Sequence, residues 1–229
     1  MSNIGFRIYT QINRPAIDII KGFRGIPVAN ISDLMNRSGV LDSRIQKIGG
    51  RKLIGLAFTV RTRAGDNLML HKALQMAEPG DVIVVDGAGE LSQAITGEIM
   101  MATAAQKGIA GVIIDGAVRD VEALRQMEMP IYAAGVTPAG PYKDGPGEIN
   151  VPVSVGGVVI RPGDIIVGDG DGVVVIRPDD VGDLIEKAQA KHKGERDIMK
   201  NIREGKRDYS WIDKELANKN CEMIDGASE

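Results

Sequence analysis

Several whole classes of protein are set aside by what this chain lacks. Its one cysteine, Cys221, can form no intramolecular disulfide, which fits a reducing cytoplasmic compartment. The two histidines, His71 and His192, have no partners at metal-ligand spacing, so satisfied polar roles suit them better than zinc binding. Aromatic residues are only 3% of the chain, too few for a base-stacking platform. A formal net charge of −3 lacks the basic footprint of a general nucleic-acid binder. The one basic segment, KHKGERDIMKNIREGKR (191–207), interleaves Glu195, Asp197 and Glu204 with its cations, as a solvated helix face does. No apolar run approaches the roughly 20 residues that span a bilayer, and the start MSNIGFRIYTQINRP lacks the apolar centre of a secretory signal. The expectation is a cytoplasmic protein with neither membrane nor nucleic acid as partner.

What the chain has in abundance is glycine, 29 residues among 229, clustered in short turns between β-branched runs. That pattern predicts many strands with tight connections. Helical periodicity is read over 17–23 and again after Asn30, a candidate N-cap for ISDLMNRSG. LIGLAFTVR (53–61) reads as a strand, and Asp66 or Asn67 can cap a helix through Ala77. DVIVVDG and GVIIDG read as short buried strands, with a helix capped by Thr96 running between them to Lys107. VEALRQMEM reads as a helix, and 130–134 as another strand. Strand and helix in alternation predict a parallel sheet with helices packed against it. From 151 to 176 the runs VPVSV, GVVI, DIIVG and GVVVI are divided only by Gly, Pro and Asp turns, predicting antiparallel hairpins. GDGDG (168–172) lacks the spacing of a calcium loop or a P-loop and reads as a hairpin turn. A long helix is expected from Pro178. The expected organisation is one α/β domain over 1–208 and a polar tail over 209–229, loosely packed or docked on a neighbouring subunit.

The hexapeptide DGAVRD (115–120) follows the apolar run GVII. In a parallel sheet the carboxyl ends of two strands joined by a helix share one edge, where α/β proteins commonly keep ligands. The segments after VIVVDG and GVIIDG should therefore meet, bringing Thr96, Gly97 and Glu98 beside Arg119 and Asp120. The N–H groups of Glu98, Ile99 and Met100 would lack intrahelical partners and could hold an anion. Arg119 could grip a carboxylate with two parallel hydrogen bonds. Glu98 and Asp120 supply hard oxygen ligands suited to hydrated Mg²⁺ or Mn²⁺. An ordinary helix start with a surface ion pair explains the same residues. Met100, Met101, Met127 and Met129 read as core or interface filling.

GDNLMLHKAL, PGDVIVVDG, GEIMMATAAQKGIAGVIIDGAVRD, MPIYAAGVTP and GGVVIRPGDIIVGDGDGVVVI resemble the regulator-of-ribonuclease-activity type A superfamily over residues 28–205. Within it, the chain is most similar to the divalent-metal pyruvate aldolases that cleave 4-hydroxy-4-methyl-2-oxoglutarate and 4-carboxy-4-hydroxy-2-oxoadipate. The resemblance implies a swivelling β/β/α fold with a central, largely parallel sheet, added antiparallel hairpins and a long C-terminal helix. It also implies trimers or hexamers with active sites between subunits. The family's metal-binding aspartate falls on Asp120, its substrate-gripping arginine on Arg119, a second acid on Glu98, and its anion-binding amides at Ile99 and Met100 after Gly97. A further family acid, supplied by the neighbouring subunit, falls on Glu195, which shares a helical stripe with Ala188, Lys191, Ile198 and Ile202. A salt bridge to Lys191 or Arg196 is the other explanation of Glu195.

The implied activity is cleavage of 4-hydroxy-2-oxo acids to pyruvate through an enolate, and loss of CO₂ from oxaloacetate, with Mg²⁺ or Mn²⁺ as Lewis acid. Two alternatives stand beside it. One is a non-catalytic regulator that masks a ribonuclease; that branch generally lacks an Asp at the position of Asp120 and the long C-terminal helix. The other is a small-molecule binding module without turnover. The loop GVTPAGPYKDGPGE, with Tyr142 and Lys143, is the candidate determinant of specificity.

Overall fold

The computed structural model describes residues 3–15 and 20–227. It divides into two compact units, Met1–Gln189 and Ala190–Glu229. Of the helical segment expected over 17–23, residues 17–19 lie outside the described residues, and Lys21–Phe23 forms a short 3-10 turn.

The first unit is built on a mixed sheet. Its parallel centre is β3 (Leu53–Thr62), β4 (Asp81–Thr96), β5 (Gly111–Val118) and β6 (Ile131–Val136), adjacent in that order. On the outer flank of β6 lies β2 (Gln46–Gly49), antiparallel. On the far side of β3 lie β7 (Gly147–Ile149), antiparallel to its end, and β10 (Ile165–Gly168), antiparallel to its start. The two-residue β1 (Arg7–Ile8) runs parallel to β7. The hairpins expected from the Gly/Pro/Asp turns are present: β8 (Val153–Val155) with β9 (Val158–Ile160), and β10 with β11 (Val173–Ile176).

Burial on both faces explains the unbroken apolar runs. All eight residues of β5 are buried, as in parallel strands covered on each side. Along β4, Ile83 and Val85 face the core formed with α2 (Leu68–Met76), α3 (Glu98–Gln106) and α4 (Val121–Gln126). Val82 and Val84 point oppositely, into the core shared with Val153, Val155, Ile166 and Val173. Met100, Met101 and Met129 are buried in the first of these cores and Met127 packs against it, so these methionines fill gaps as expected.

Local signals misplace three details. The first helix, α1, is Val28–Leu34, starting after Pro27, so Asn30 lies inside it and is buried. Its first N–H, on Val28, is capped instead by Asp169 Oδ2 at 3.0 Å, from the distant GDGDG turn. That turn does close the β10–β11 hairpin: the Asp169 N–H donates to the Gly172 carbonyl at 3.0 Å. Strand β4 does not stop at DVIVVDG but continues to Thr96, with irregular register against β5 after Asp86. The cap position of α3 is Gly97, and Thr96 is the last residue of β4.

Helix α5 (Val181–Arg203) begins in the first unit and ends in the second. The second unit also holds α6 (Ser210–Asn218), an ordered helix within the segment read as a polar tail, with Trp211, Ile212 and Leu216 exposed. Among the described residues no helix is long and apolar enough to cross a membrane.

Candidate active site

Thr96, the end of β4, is paired in register with Val118, the end of β5, and the Arg119 N–H donates to the Thr96 carbonyl at 3.0 Å. This ladder puts the start of α3 beside the Arg119–Asp120 pair. An open cleft of about 280 Å³ forms there, lined by Gly97, Ile99, Met100, Arg119 and Asp120, with Asn67, Thr96 and Pro141 completing its walls.

Asp120 occupies the cap position of α4 in the left-handed region, at φ 57° and ψ 37°. A non-glycine residue there is under backbone strain, and such strain gathers at functional sites. The strain aims the carboxylate back across the cleft: Asp120 Oδ2 accepts the Glu98 N–H at 3.0 Å and lies 3.6 Å from Arg119 Nε. Gly97 permits this approach, because a Cβ at that position would fall 2.3 Å from Asp120 Oδ2 and 2.8 Å from Arg119 Cγ.

Of the three amides expected to hold an anion, that of Glu98 is already committed to Asp120. Ile99 and Met100 follow it in the first turn, where an α-helix supplies no carbonyl partner. Glu98 thus enters the site through its backbone; its side chain is exposed and does not line the cleft. Arg119 and Asp120 both remain about two-fifths exposed, so each can meet a ligand without breaking a saturated pair. Glu195 lies on α5 in the second unit, half-buried.

Of the residues completing the walls, Thr96 is where the sequence placed it and Pro141 lies in the loop read as the specificity determinant, whereas Asn67 was read only as a helix cap. Pro141 is placed by Asp66, whose buried carboxylate accepts the N–H groups of Leu68 at 2.9 Å, Asp144 at 2.6 Å and Gly145 at 2.9 Å. The Asn67 N–H donates to the Tyr142 carbonyl at 3.0 Å and the Tyr142 N–H to the Gly65 carbonyl at 2.8 Å. Asn67 holds the cap position of α2 without a side-chain cap bond, while Asp66, one residue before it, accepts the first helical N–H and also ties the 139–145 loop to the edge of the cleft. Its place in GDN was the available signal, but the local reading stopped at the cap.

The first aspartate of DGAVRD does different work. Asp115 accepts both terminal nitrogens of Arg44, at 2.6 and 2.7 Å, and the Gly156 N–H at 2.9 Å. It is buried and fastens the β8–β9 turn to the sheet.

Among the described residues no group of three or more His, Cys, Asp or Glu side chains is placed to share a metal ion. An ion held wholly by protein does not fit this site. A hydrated Mg²⁺ or Mn²⁺, which keeps waters and takes one or two carboxylates plus ligand oxygens, does fit the half-exposed carboxylate of Asp120.

The family described as RraA-like, Aldolase/RraA, matches residues 28–175. A relative from Halalkalibacterium halodurans named "Putative 4-hydroxy-4-methyl-2-oxoglutarate aldolase" is 43% identical over 66% of this chain and 72% of its own length. The 4-hydroxy-4-methyl-2-oxoglutarate aldolase of Thermus thermophilus is 37% identical over 58% of this chain and 81% of its own. The solved structure of the RNA-processing inhibitor RraA from Thermus thermophilus aligns with a TM-score of 0.61 at 36% identity, covering 66% of this chain and 92% of that one.

Proposed function

This chain belongs to the Aldolase/RraA family, and from that premise we propose that it is a divalent-metal-dependent carbon–carbon lyase releasing pyruvate from 4-hydroxy-2-oxo acids, and CO₂ from oxaloacetate. The aldolase names of its relatives support an aldolase-like activity. The observation that carries the finer reading is the meeting of Arg119, the α3 amides and the strained Asp120 on one cleft.

Arg119 grips the substrate carboxylate with two parallel N–H···O bonds. The 4-hydroxyl loses its proton to a water held by carboxylate, and the C3–C4 bond breaks. Its electron pair moves onto the 2-oxo group, giving the pyruvate enolate and releasing the other half as a carbonyl compound. The N–H groups of Ile99 and Met100 and the positive end of α3 stabilise the enolate oxygen, and protonation at C3 completes pyruvate. Mg²⁺ or Mn²⁺, held by Asp120, would add Lewis acidity at the 2-oxo oxygen. The Glu98 N–H fixes the Asp120 carboxylate for that role, with the Glu98 carboxylate reaching a ligand through water. Glu195 of a neighbouring copy supplies the further acid in a trimer or hexamer.

The test is pyruvate release from 4-hydroxy-4-methyl-2-oxoglutarate and from oxaloacetate, with Mg²⁺ or Mn²⁺ and then with chelator, on protein whose oligomer is sized by light scattering. Release that appears with metal and stops with chelator is expected. Folded, metal-supplied protein releasing none from either acid would shift the reading to a protein regulator of the kind that the RraA neighbour is named for.

A further inference from the structure

Two residues that line the cleft carry a buried polar atom with no hydrogen-bond partner among the described residues: Asn67 Oδ1 and Thr96 Oγ1. Both residues are 2% exposed and both line the cleft. The Asn67 amide is fixed in orientation, because its Nδ2 donates to the Ile95 carbonyl at 3.0 Å and sits 3.4 Å from Met100 Sδ. Its Oδ1 is therefore the free end, and that atom can only accept. Thr96 is anchored by the β4–β5 ladder at its backbone, and its hydroxyl can accept or donate.

Unpaired buried polar atoms destabilise a folded chain unless something else completes them. Elsewhere around the same cleft stand groups that only donate: the Arg119 guanidinium and the first-turn amides of α3. The lining thus asks for two things of a ligand, an anion for the donors and a hydrogen-bond donor for Asn67 and Thr96. Residues carrying both kinds of group line the same cleft, so a single small ligand can meet the two demands together.

We propose that Asn67 and Thr96 are ligand-contacting specificity residues that select a small hydroxy acid, taking its hydroxyl on Asn67 Oδ1 and Thr96 Oγ1 while its carboxylate meets Arg119. The inference rests on the proposed function only in assigning the carboxylate to Arg119. A site built to pair a hydroxyl discriminates strongly against the analogue without it, since the protein's polar atoms are then left unpaired.

The test is binding without turnover. Dissociation constants of lactate, 3-hydroxypropanoate and propanoate are measured by NMR titration of the full chain in Mg²⁺ buffer, for the wild type, Thr96→Val and Thr96→Ser. At least one hydroxy acid should bind ten-fold or more tighter than propanoate to the wild type. Thr96→Val, which keeps the shape and removes the hydroxyl, should reduce that preference below three-fold and leave propanoate affinity unchanged. Thr96→Ser should restore the preference. The Tm of Thr96→Val should equal or exceed that of the wild type, because an unpaired buried group has gone; a hydroxyl with a structural task would lower it. No preference in the wild type, a preference surviving Thr96→Val, or a Tm drop in that variant each overturns the proposal. A failed aldolase reading registers separately, as absent pyruvate release.

Discussion

The hexapeptide 115–120 carries the aspartates of two arginine–aspartate pairs that are built in opposite ways. Arg44 and Asp115 meet through two hydrogen bonds, and the Gly156 N–H adds a third to a carboxylate left only 5% exposed. Arg119 and Asp120 are separated by 3.6 Å, lie half in solvent, and depend on a left-handed backbone. The saturated pair has no capacity for a ligand and holds two segments together. The unsaturated pair contributes little to stability and leaves hydrogen-bonding capacity open, as the proposed site requires. Charge at a sheet edge becomes chemistry only where its partners are withheld.

The largest expected effect separates the two pairs directly. Arg119→Ala and Asp120→Ala should each lower pyruvate release about 10³-fold, the size of a lost transition-state donor or charge, while denaturation midpoints stay near wild type. Full metal-dependent activity in either variant would remove the assignment. Arg44→Ala should do the reverse: with Asp115 left buried and uncompensated, stability falls by roughly 3 kcal/mol, read by urea titration, and turnover per folded molecule is retained. Equal losses of activity at Arg44 and Arg119 would erase the contrast.

Whether the open pair is completed by a second copy is asked by Glu195→Ala, which should cost about 10²-fold in rate as an acid or base would, with oligomer size unchanged. An unaffected rate returns Glu195 to a salt-bridge role. Asp66→Ala leaves the Leu68, Asp144 and Gly145 amides without their acceptor, and about 2 kcal/mol of stability should go. Hydrogen exchange at Asp144 and Gly145 should rise with it; unchanged exchange would mean the loop is held by other contacts.

The smallest effect is a pH dependence at the same loop. The His71 pKa is lowered by desolvation and by the charge of Lys143, so folding favours the neutral ring. Its contribution is full above the ordinary value near 6.5 and is lost as pH falls through the lower folded value. His71→Gln should slightly flatten the fall in stability below about pH 6.5. A slope identical to wild type would show that folding does not disfavour the charged ring.

Much of this was legible in advance, and the failures share a cause. Alternation along Val82, Ile83, Val84 and Val85, and the unbroken run of β5, are local patterns, and they gave strands, a parallel sheet and a shared edge for Gly97 and Arg119. The cap of α1 was misjudged because Asp169 reaches Val28 from another part of the chain, whereas Asn30 was the nearest polar residue to hand. Strand β4 was cut short because its GAG segment has turn chemistry, while pairing with β5 carries the ladder past it. Both errors arose where a distant partner outweighed local propensity.

By itself the sequence determined the element types, the family resemblance and which residues reach the sheet edge, since periodicity and chain order are one-dimensional properties. Only the tertiary structure decided which charges are free to act. Asp115 and Asp120 are the same residue type in the same hexapeptide, and their difference lies in partners contributed by Arg44, Gly156 and Glu98. The unpaired oxygens of Asn67 and Thr96 were likewise invisible until strands and loops closed around them, because satisfaction of a polar atom is a property of its surroundings in space.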